Sequence, residues 1–231
     1  MKVLVACEES QAVCIAFRLR GHEAFSCDIQ ECSGGHPEWH IQGDALVEAY
    51  SGKYDLMIAH PPCTYLTNAG IGYFNVDRYG EKAIIRKSKR EEAMIFFEAL
   101  YNAPIDRICV ENPVGYPNAV FASPSQTIHP YFFGDPHKKR TCLWLKGLPL
   151  LRGIANYKEP QPLTVQYRQA SKHYKGGEIK KRYFTDISGG SKKSAKRRSV
   201  TFPGIANAMA DQWGKSLISI THCQSKPLSL F

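Results

Sequence analysis

Residues 2–29, KVLVACEESQAVCIAFRLRGHEAFSCDI, decide the fold. KVLVAC (2–7) is a short continuous apolar run, the pattern of a strand buried on both faces. Residues 10–20 place Val13, Phe17 and Arg20 at helical spacing, with Ala12 and Ala16 beside them. HEAFSCDI (22–29) is a second strand that closes on an acid, Asp28. Strand, helix and strand within about 30 residues make a βαβ unit.

The same alternation continues outward. YDLMIA (54–59) is a strand that runs into HPPC, where two prolines must end it. Residues 88–101 place Ala93, Phe96, Phe97 and Leu100 on one face and Lys89, Arg90, Glu91 and Glu92 outside, an amphipathic helix. RICV (107–110) and TCLWL (141–145) are further strands, and Pro203-Gly204 announces a helix over 205–213. Such an order predicts an α/β fold, a mostly parallel sheet with helices on both faces. One domain, 1–151 plus 200–231, is expected, with a small basic insert at 152–199.

Composition is consistent with this. The chain has 231 residues, 43% apolar and 22% charged, enough for a core and too few for several large domains. It has no apolar run long enough to span a bilayer and no leader pattern at MKVLVACEES, so a soluble cytoplasmic protein with no membrane partner is expected. The net charge is +9, and residues 172–198, with ten Lys/Arg and two acids, carry +8 of it. That stretch interleaves His173, Tyr174, Tyr183 and Phe184 with its cations, a composition suited to phosphates and bases and equally to a solvated loop. Eight cysteines without a CxxC pair imply thiols in a reducing compartment. Cys27, Cys32, His36 and His40 have a spacing that a zinc ion could use, but Cys27 lies in an apparent strand, and no metal is expected.

In open α/β sheets ligands bind at the carboxyl ends of the strands. Four loops qualify: residues 6–11, Asp28, His60–Cys63 and Glu111–Pro113. An acid closing the second strand suits ribose hydroxyls, and Asp44, after Gly43, is a weaker candidate for an exocyclic amine.

Pro61-Pro62-Cys63 after one hydrophobic strand, with Glu111-Asn112-Pro113 beginning 48 residues later after another, resembles the fourth and sixth motifs of the DNA (cytosine-5)-methyltransferase family. VLVACEES (3–10), GDAL (43–46), AHPPCTYL (59–66), TCLWLKGLP (141–149) and FPGIANAMADQWG (202–214) are similar to short bacteriophage and prophage members. The resemblance implies a Rossmann-like S-adenosylmethionine-dependent methyltransferase fold. It implies Cys63 as nucleophile, Glu111 as the acid that engages the base, and Arg140 beside the flipped cytosine. For the cofactor it implies Cys7, Glu8, Glu9, Ser10, Asp28, Asp44, Pro61 and Asn207, with Glu8 available to an α-ammonium group and Ser10 capping the first helix. DNA is the implied partner, bound by a monomer through Lys138, Lys139, Lys180, Lys181, Arg182, Lys192, Lys193, Arg197 and Arg198. The family's glycine-rich first loop is replaced here by ACEESQ (6–11), which has no glycine.

The implied chemistry needs these residue types. Cytosine C5 is a poor nucleophile until a thiolate adds to C6, so Cys63 supplies that thiolate. An acid at N3, kept partly protonated, stabilises the charge this creates, and Glu111 is expected to be so. C5 then accepts the methyl group of S-adenosylmethionine, and loss of the C5 proton expels Cys63. The base must leave the duplex stack to be reached. Residues 64–82, TYLTNAGIGYFNVDRYGEK, are expected to form a mobile loop that closes over it. Other readings are a C5-modifying enzyme with another one-carbon donor, as in hydroxymethylation, and a catalytically silent DNA-binding protein of the same fold. An amine methyltransferase is disfavoured because HPPC lacks the Asp/Asn and the aromatic of that loop.

Overall fold

β1 (Lys2–Ala6) and β4 (Leu56–Ala59) lie side by side in a parallel sheet, and all but Lys2 of their nine residues are buried. This computed structural model describes residues 1–161, 163–166, 179–182 and 200–215, the two short inner segments by their backbone. The other strands are β2 (Glu23–Asp28), β3 (His40–Gln42), β5 (Ile108–Pro113), β6 (Gln126–Ile128) and β7 (Thr141–Lys146). They form one seven-stranded sheet in the order β3-β2-β1-β4-β5-β7-β6. β7 is antiparallel to β5 and β6, while the five strands from β3 to β5 are parallel. The expected Rossmann-like α/β fold is thus observed, and the strand order reverses between β1 and β4, where such sheets open a ligand crevice.

Alternation inside the apolar runs divides the core. Val3, Val5, Leu56 and Ile58 face a layer made by α1 (Ala12–Arg18) and, at the far end of the chain, α6 (Pro203–Trp213). Leu4, Ala6, Met57 and Ala59 face the opposite layer, made by α2 (Ala45–Ala49) and α4 (Glu81–Tyr101). Two shorter helices among the described residues are α3 (Val76–Tyr79) and α5 (Pro117–Val120).

α6 is fixed beside α1 at its C-terminal end. Trp213 is fully buried and donates Nε1–H to the Pro149 carbonyl at 2.9 Å. Its own carbonyl accepts from Arg107, just before β5. Arg20 grips both oxygens of Asp211 at 2.6 and 2.8 Å, a bidentate pair. These contacts hold the end of α6 at the edge where β1 and β5 begin, so its N-terminal half points toward the edge that bears the ligand loops.

Residues 64–82 are not an irregular loop but carry local helical structure. They form a 3-10 helix (Asn68–Phe74), then α3, and α4 starts at Glu81, seven residues before the amphipathic pattern becomes visible. The first turns of α4 leave Ile84 and Ile85 exposed, so no apolar stripe marks them. β8 (Leu163–Gln166) and β9 (Ile179–Arg182) pair antiparallel in a two-stranded ribbon separate from the main sheet. Among the described residues no helix is long and apolar enough to cross a membrane.

Candidate active site

The loop after β1 makes its turn without glycine. Cys7 and Gln11 adopt left-handed backbone, at φ 59° and 61°, a conformation that costs L-residues about 1–2 kcal/mol. The turn aims Glu8 inward, where it is 4% exposed and accepts from Val13 N–H at 2.7 Å and Cys14 N–H at 3.1 Å. Its carboxylate therefore occupies the N-terminus of α1, satisfying two orphan donors. Burial raises its pKa, against the lowering effects of nearby His60 and the two N–H groups. This corrects two expectations. Glu8, not Ser10, satisfies the end of α1, and both Glu8 oxygens are engaged by backbone rather than facing an ammonium group.

The segment between β2 and β3 lies over this loop. The Gln11 amide pairs with the backbone of His36, donating to its carbonyl at 2.8 Å and accepting from its N–H at 3.0 Å. Ser33 N–H donates to the Glu9 carbonyl at 2.7 Å, and its hydroxyl donates to the Glu9 carboxylate. Gly34 sits so close that a Cβ there would lie 2.5 Å from Gln11. Glu9 is thus a structural acid here, and Gln11, unremarked in the sequence, is the residue that binds the two loops together.

Asp28 ends β2 and is half-buried. Its Oδ1 accepts from Gln30 N–H at 2.9 Å, and its carbonyl accepts from Gly43 N–H at 2.9 Å. Asp44 is exposed and caps α2 through Leu46 N–H at 2.9 Å. The two acids share a neighbourhood with Cys7, whose thiol is pushed far up by burial and then by Asp28, Cys27 and Asp44. Among the described residues nothing donates to Asp28 Oδ2, so one carboxylate oxygen at the mouth is available for ribose hydroxyls. Asn207, exposed on the N-terminal half of α6, lies toward the same edge.

The four spaced Cys and His residues do not converge. Cys27 is fully buried, His36 stacks on Trp39 at 3.8 Å, and His40 is held by Ser26 and Gln30 at 2.8 and 2.9 Å.

At the ends of β4 and β5, strand pairing puts Ala59 opposite Val110, so His60 and Glu111 follow at one level. His60 Nδ1 lies 3.2 Å from Glu111 Oε2, with the side chains 10% and 17% exposed. Among the described residues, His60 Nε2 is buried without a partner. Burial raises the pKa of Glu111, but the His60 hydrogen bond and the charges of Lys139 and His60 outweigh it and hold the carboxyl below its ordinary range. The expected partly protonated acid is therefore an ionised one before substrate arrives.

Pro61 is buried and Pro62 exposed, and Cys63, half-buried, opens a turn whose carbonyl accepts from Leu66 and Thr67 at 3.0 and 2.9 Å. Leu66, 1% exposed, anchors the turn, and its carbonyl accepts from Tyr116 N–H at 2.7 Å. Asn68 N–H reaches the Val114 carbonyl at 3.1 Å, and Thr67 bridges Gly115. The turn of Cys63 is thereby stitched to the segment that follows Glu111. Within that segment Asn112 is fully buried and donates to the Pro113 carbonyl at 2.7 Å.

Because β7 is antiparallel to β5, its start reaches the same edge, with Thr141 opposite Pro113. Lys139 is the cation whose charge acts on Glu111, whereas Arg140 is exposed at the rim and Lys138 pairs with Glu159. Lys180, Lys181 and Arg182 lie in β9, opposite Val165, Thr164 and Leu163. Lys192, Lys193, Arg197 and Arg198, like Tyr183 and Phe184, lie outside the described residues.

No protein-family model matches this sequence, and no curated protein matches it. Solved structures do resemble it. One, a candidate DNA modification methyltransferase encoded within an E. coli prophage, is 13% identical, with a TM-score of 0.43 over 77% of this chain. The match covers 62% of that protein's length. At this level its activity does not transfer, and the fold stands on its own strand order.

Proposed function

We propose that this chain is a DNA (cytosine-5)-methyltransferase that uses S-adenosylmethionine and acts on DNA as a monomer. The observation that carries the proposal is that the turn of Cys63, after β4, is stitched to the segment that follows Glu111 on the neighbouring parallel strand β5, with Glu111 held by His60 and Lys139. The family resemblance of PPC and ENP supports the same roles, as does the acid Asp28 at the mouth of the crevice.

The residues divide the work. A cytosine flipped out of the stack, at a cost of a few kcal/mol, enters between the turn of Cys63 and the end of β5. The Cys63 thiolate forms a bond to C6, and the displaced electron pair moves toward N3; Glu111, ionised at rest, first takes up a proton and then passes it to N3. The 3.2 Å contact with His60 Nδ1 is the route that resupplies Glu111. Lys139 offsets the negative charge that develops beside it. S-adenosylmethionine supplies, when bound, the electrophilic methyl group for C5. Asp28 and Asp44 would hold its nucleoside; a water then takes the C5 proton, the electron pair of that C–H bond expels Cys63 as thiolate, and the N3 proton returns to Glu111. Arg140, with Lys138, grips phosphates at the rim, and Lys180, Lys181 and Arg182 are further cations for the DNA backbone.

One observation favours a second reading. The loop after β1 is glycine-free, covered by residues 33–36, and has Glu8 engaged by α1, which suits a donor other than S-adenosylmethionine. Nucleoside mass spectrometry of DNA from expressing cells decides between 5-methylcytosine and another C5 adduct. Cys63→Ser is expected to abolish the product while the protein stays folded, and a duplex carrying 5-fluorocytosine is expected to trap the wild type covalently. Full activity of Cys63→Ser overturns the mechanism.

A further inference from the structure

Beside the turn of Cys63 lies a cleft of about 310 Å³ that none of the roles above uses. Its walls are Tyr65, Tyr73 and Tyr79 on one side and Lys82, Arg86 and Lys89 on the other. The three cations recur at i, i+4 and i+7 along α4, so they form one ridge on a single helix face. Among the described residues, none of them has a carboxylate at ion-pair distance.

Arg86 joins the two walls. Its guanidinium lies 5.0 Å from the Tyr65 ring, 5.6 Å from Tyr73 and 5.0 Å from Phe74. It donates Nη2–H to the carbonyl of Thr64 at 3.0 Å, the residue immediately after Cys63. Gly70 makes room for it, since a Cβ there would fall 2.6 Å from the same nitrogen. Lys89 lies 5.9 Å from the Tyr65 ring, and the Tyr73 and Tyr79 rings are 5.4 Å apart. Tyr73 is nevertheless 56% exposed, with a ring face left for a ligand.

Aromatic faces alternating with unpaired cations are the composition of a surface that binds a single nucleic-acid strand. Bases stack on the rings without regard to sequence, and cations track the phosphates. We infer that this cleft holds an unpaired nucleotide of the DNA strand that carries the target base, next to the base engaged by Cys63. The rings stack its base, and Lys82 and Lys89 hold its flanking phosphates. The placement follows from Arg86, which fastens the cleft to the backbone next to Cys63, so a strand entering the site must pass the ridge of α4. The choice of DNA, and of this strand, rests on the function proposed above. Stacking and phosphate binding rest on the cleft alone.

The test is fluorescence anisotropy of the full chain, without methyl donor, on a short single-stranded DNA and on a duplex with a single-stranded overhang. Tyr73→Ala is expected to weaken single-strand binding about tenfold at every salt concentration, and Tyr73→Phe to restore it. Lys82→Gln with Lys89→Gln is expected to flatten the dependence on log salt by about 0.7 for each phosphate no longer neutralised. Circular dichroism checks that each variant is folded, and the exposed lysines provide the second arm if Tyr73→Ala is not. Wild-type affinity in both variants overturns the inference even if methyl transfer proceeds. Strand binding that depends on Tyr73 upholds the stacking and phosphate binding of the cleft even if no modified base is ever found. Displacement of the strand by a mononucleotide of equal affinity would mark a free-nucleotide site, and tighter binding of RNA an RNA site. Either overturns the assignment to DNA.

Discussion

His60 Nδ1 lies 3.2 Å from Glu111 Oε2, across the ends of two paired strands that reach this level from positions 51 residues apart. The pairing makes stability depend on pH. The folded-state pKa of Glu111 is depressed, so its contribution to stability is present above the unfolded value and is lost as pH falls through the folded one. His60→Phe keeps a ring of similar size and removes the hydrogen-bond donor, leaving burial to push the carboxyl upward. The Glu111 carboxyl resonance is expected to titrate at higher pH in the variant, and acid unfolding to begin at higher pH. An unmoved titration would assign the depression to Lys139 alone.

Glu8 behaves in the opposite sense. Burial raises its folded-state pKa, so its ionisation costs stability progressively as pH rises from the unfolded value through the folded one. Glu8→Gln is expected to flatten that part of the stability profile. Glu8→Ala removes the acceptor of two buried N–H groups and is expected to cost about 2 kcal/mol in urea unfolding at neutral pH. A Glu8→Ala protein as stable as wild type would show that water replaces the carboxylate at α1.

Gly115→Ala tests the stitch between the loops of Cys63 and Glu111. The added Cβ would stand 1.8 Å from the Leu66 carbonyl oxygen, so one loop must move away from the other. A loss of about 1–3 kcal/mol is expected in thermal unfolding, with a larger fractional loss of product formation than of DNA affinity. Unchanged turnover would mean that the two loops need not be joined during the reaction.

Asp28→Ala is expected to weaken S-adenosylmethionine binding roughly tenfold in calorimetry, the effect of removing a charged acceptor from ribose hydroxyls. DNA affinity measured on the same variant is expected to stay unchanged. An unaltered cofactor affinity removes Asp28 from the site.

The sheet was legible because its strands are short apolar runs, and alternation within them already separates Val3 and Val5 from Leu4 and Ala6. The turns were legible where proline forces them, at Pro61-Pro62 and Pro113. The start of α4 was hidden because Ile84 and Ile85 face solvent and blur the helical period. β6, at three residues, is too short to show any period. Cys63 was legible as a motif after a strand and Glu111 as one at a strand's end, but their partners were not. Gln11 meets His36 from 25 positions away, and nothing local in either segment marks the contact.

The sequence by itself determined which strands are buried, their sheet class and the turn that carries the thiol, because each of these follows from local pattern and proline geometry, whereas β5 runs on past Val110 through Glu111 to Pro113 because β7 pairs with it there. Only the tertiary structure decided how the acids are used. Glu8 became a helix-end ligand through burial and two backbone N–H groups, and Glu111 became ionised through His60 and Lys139. Likewise the cations at Lys82, Arg86 and Lys89 became a wall of a cleft once residues 65–79 folded against α4. Electrostatic influence depends on distance and burial, and both are set by chain crossings that no local pattern encodes.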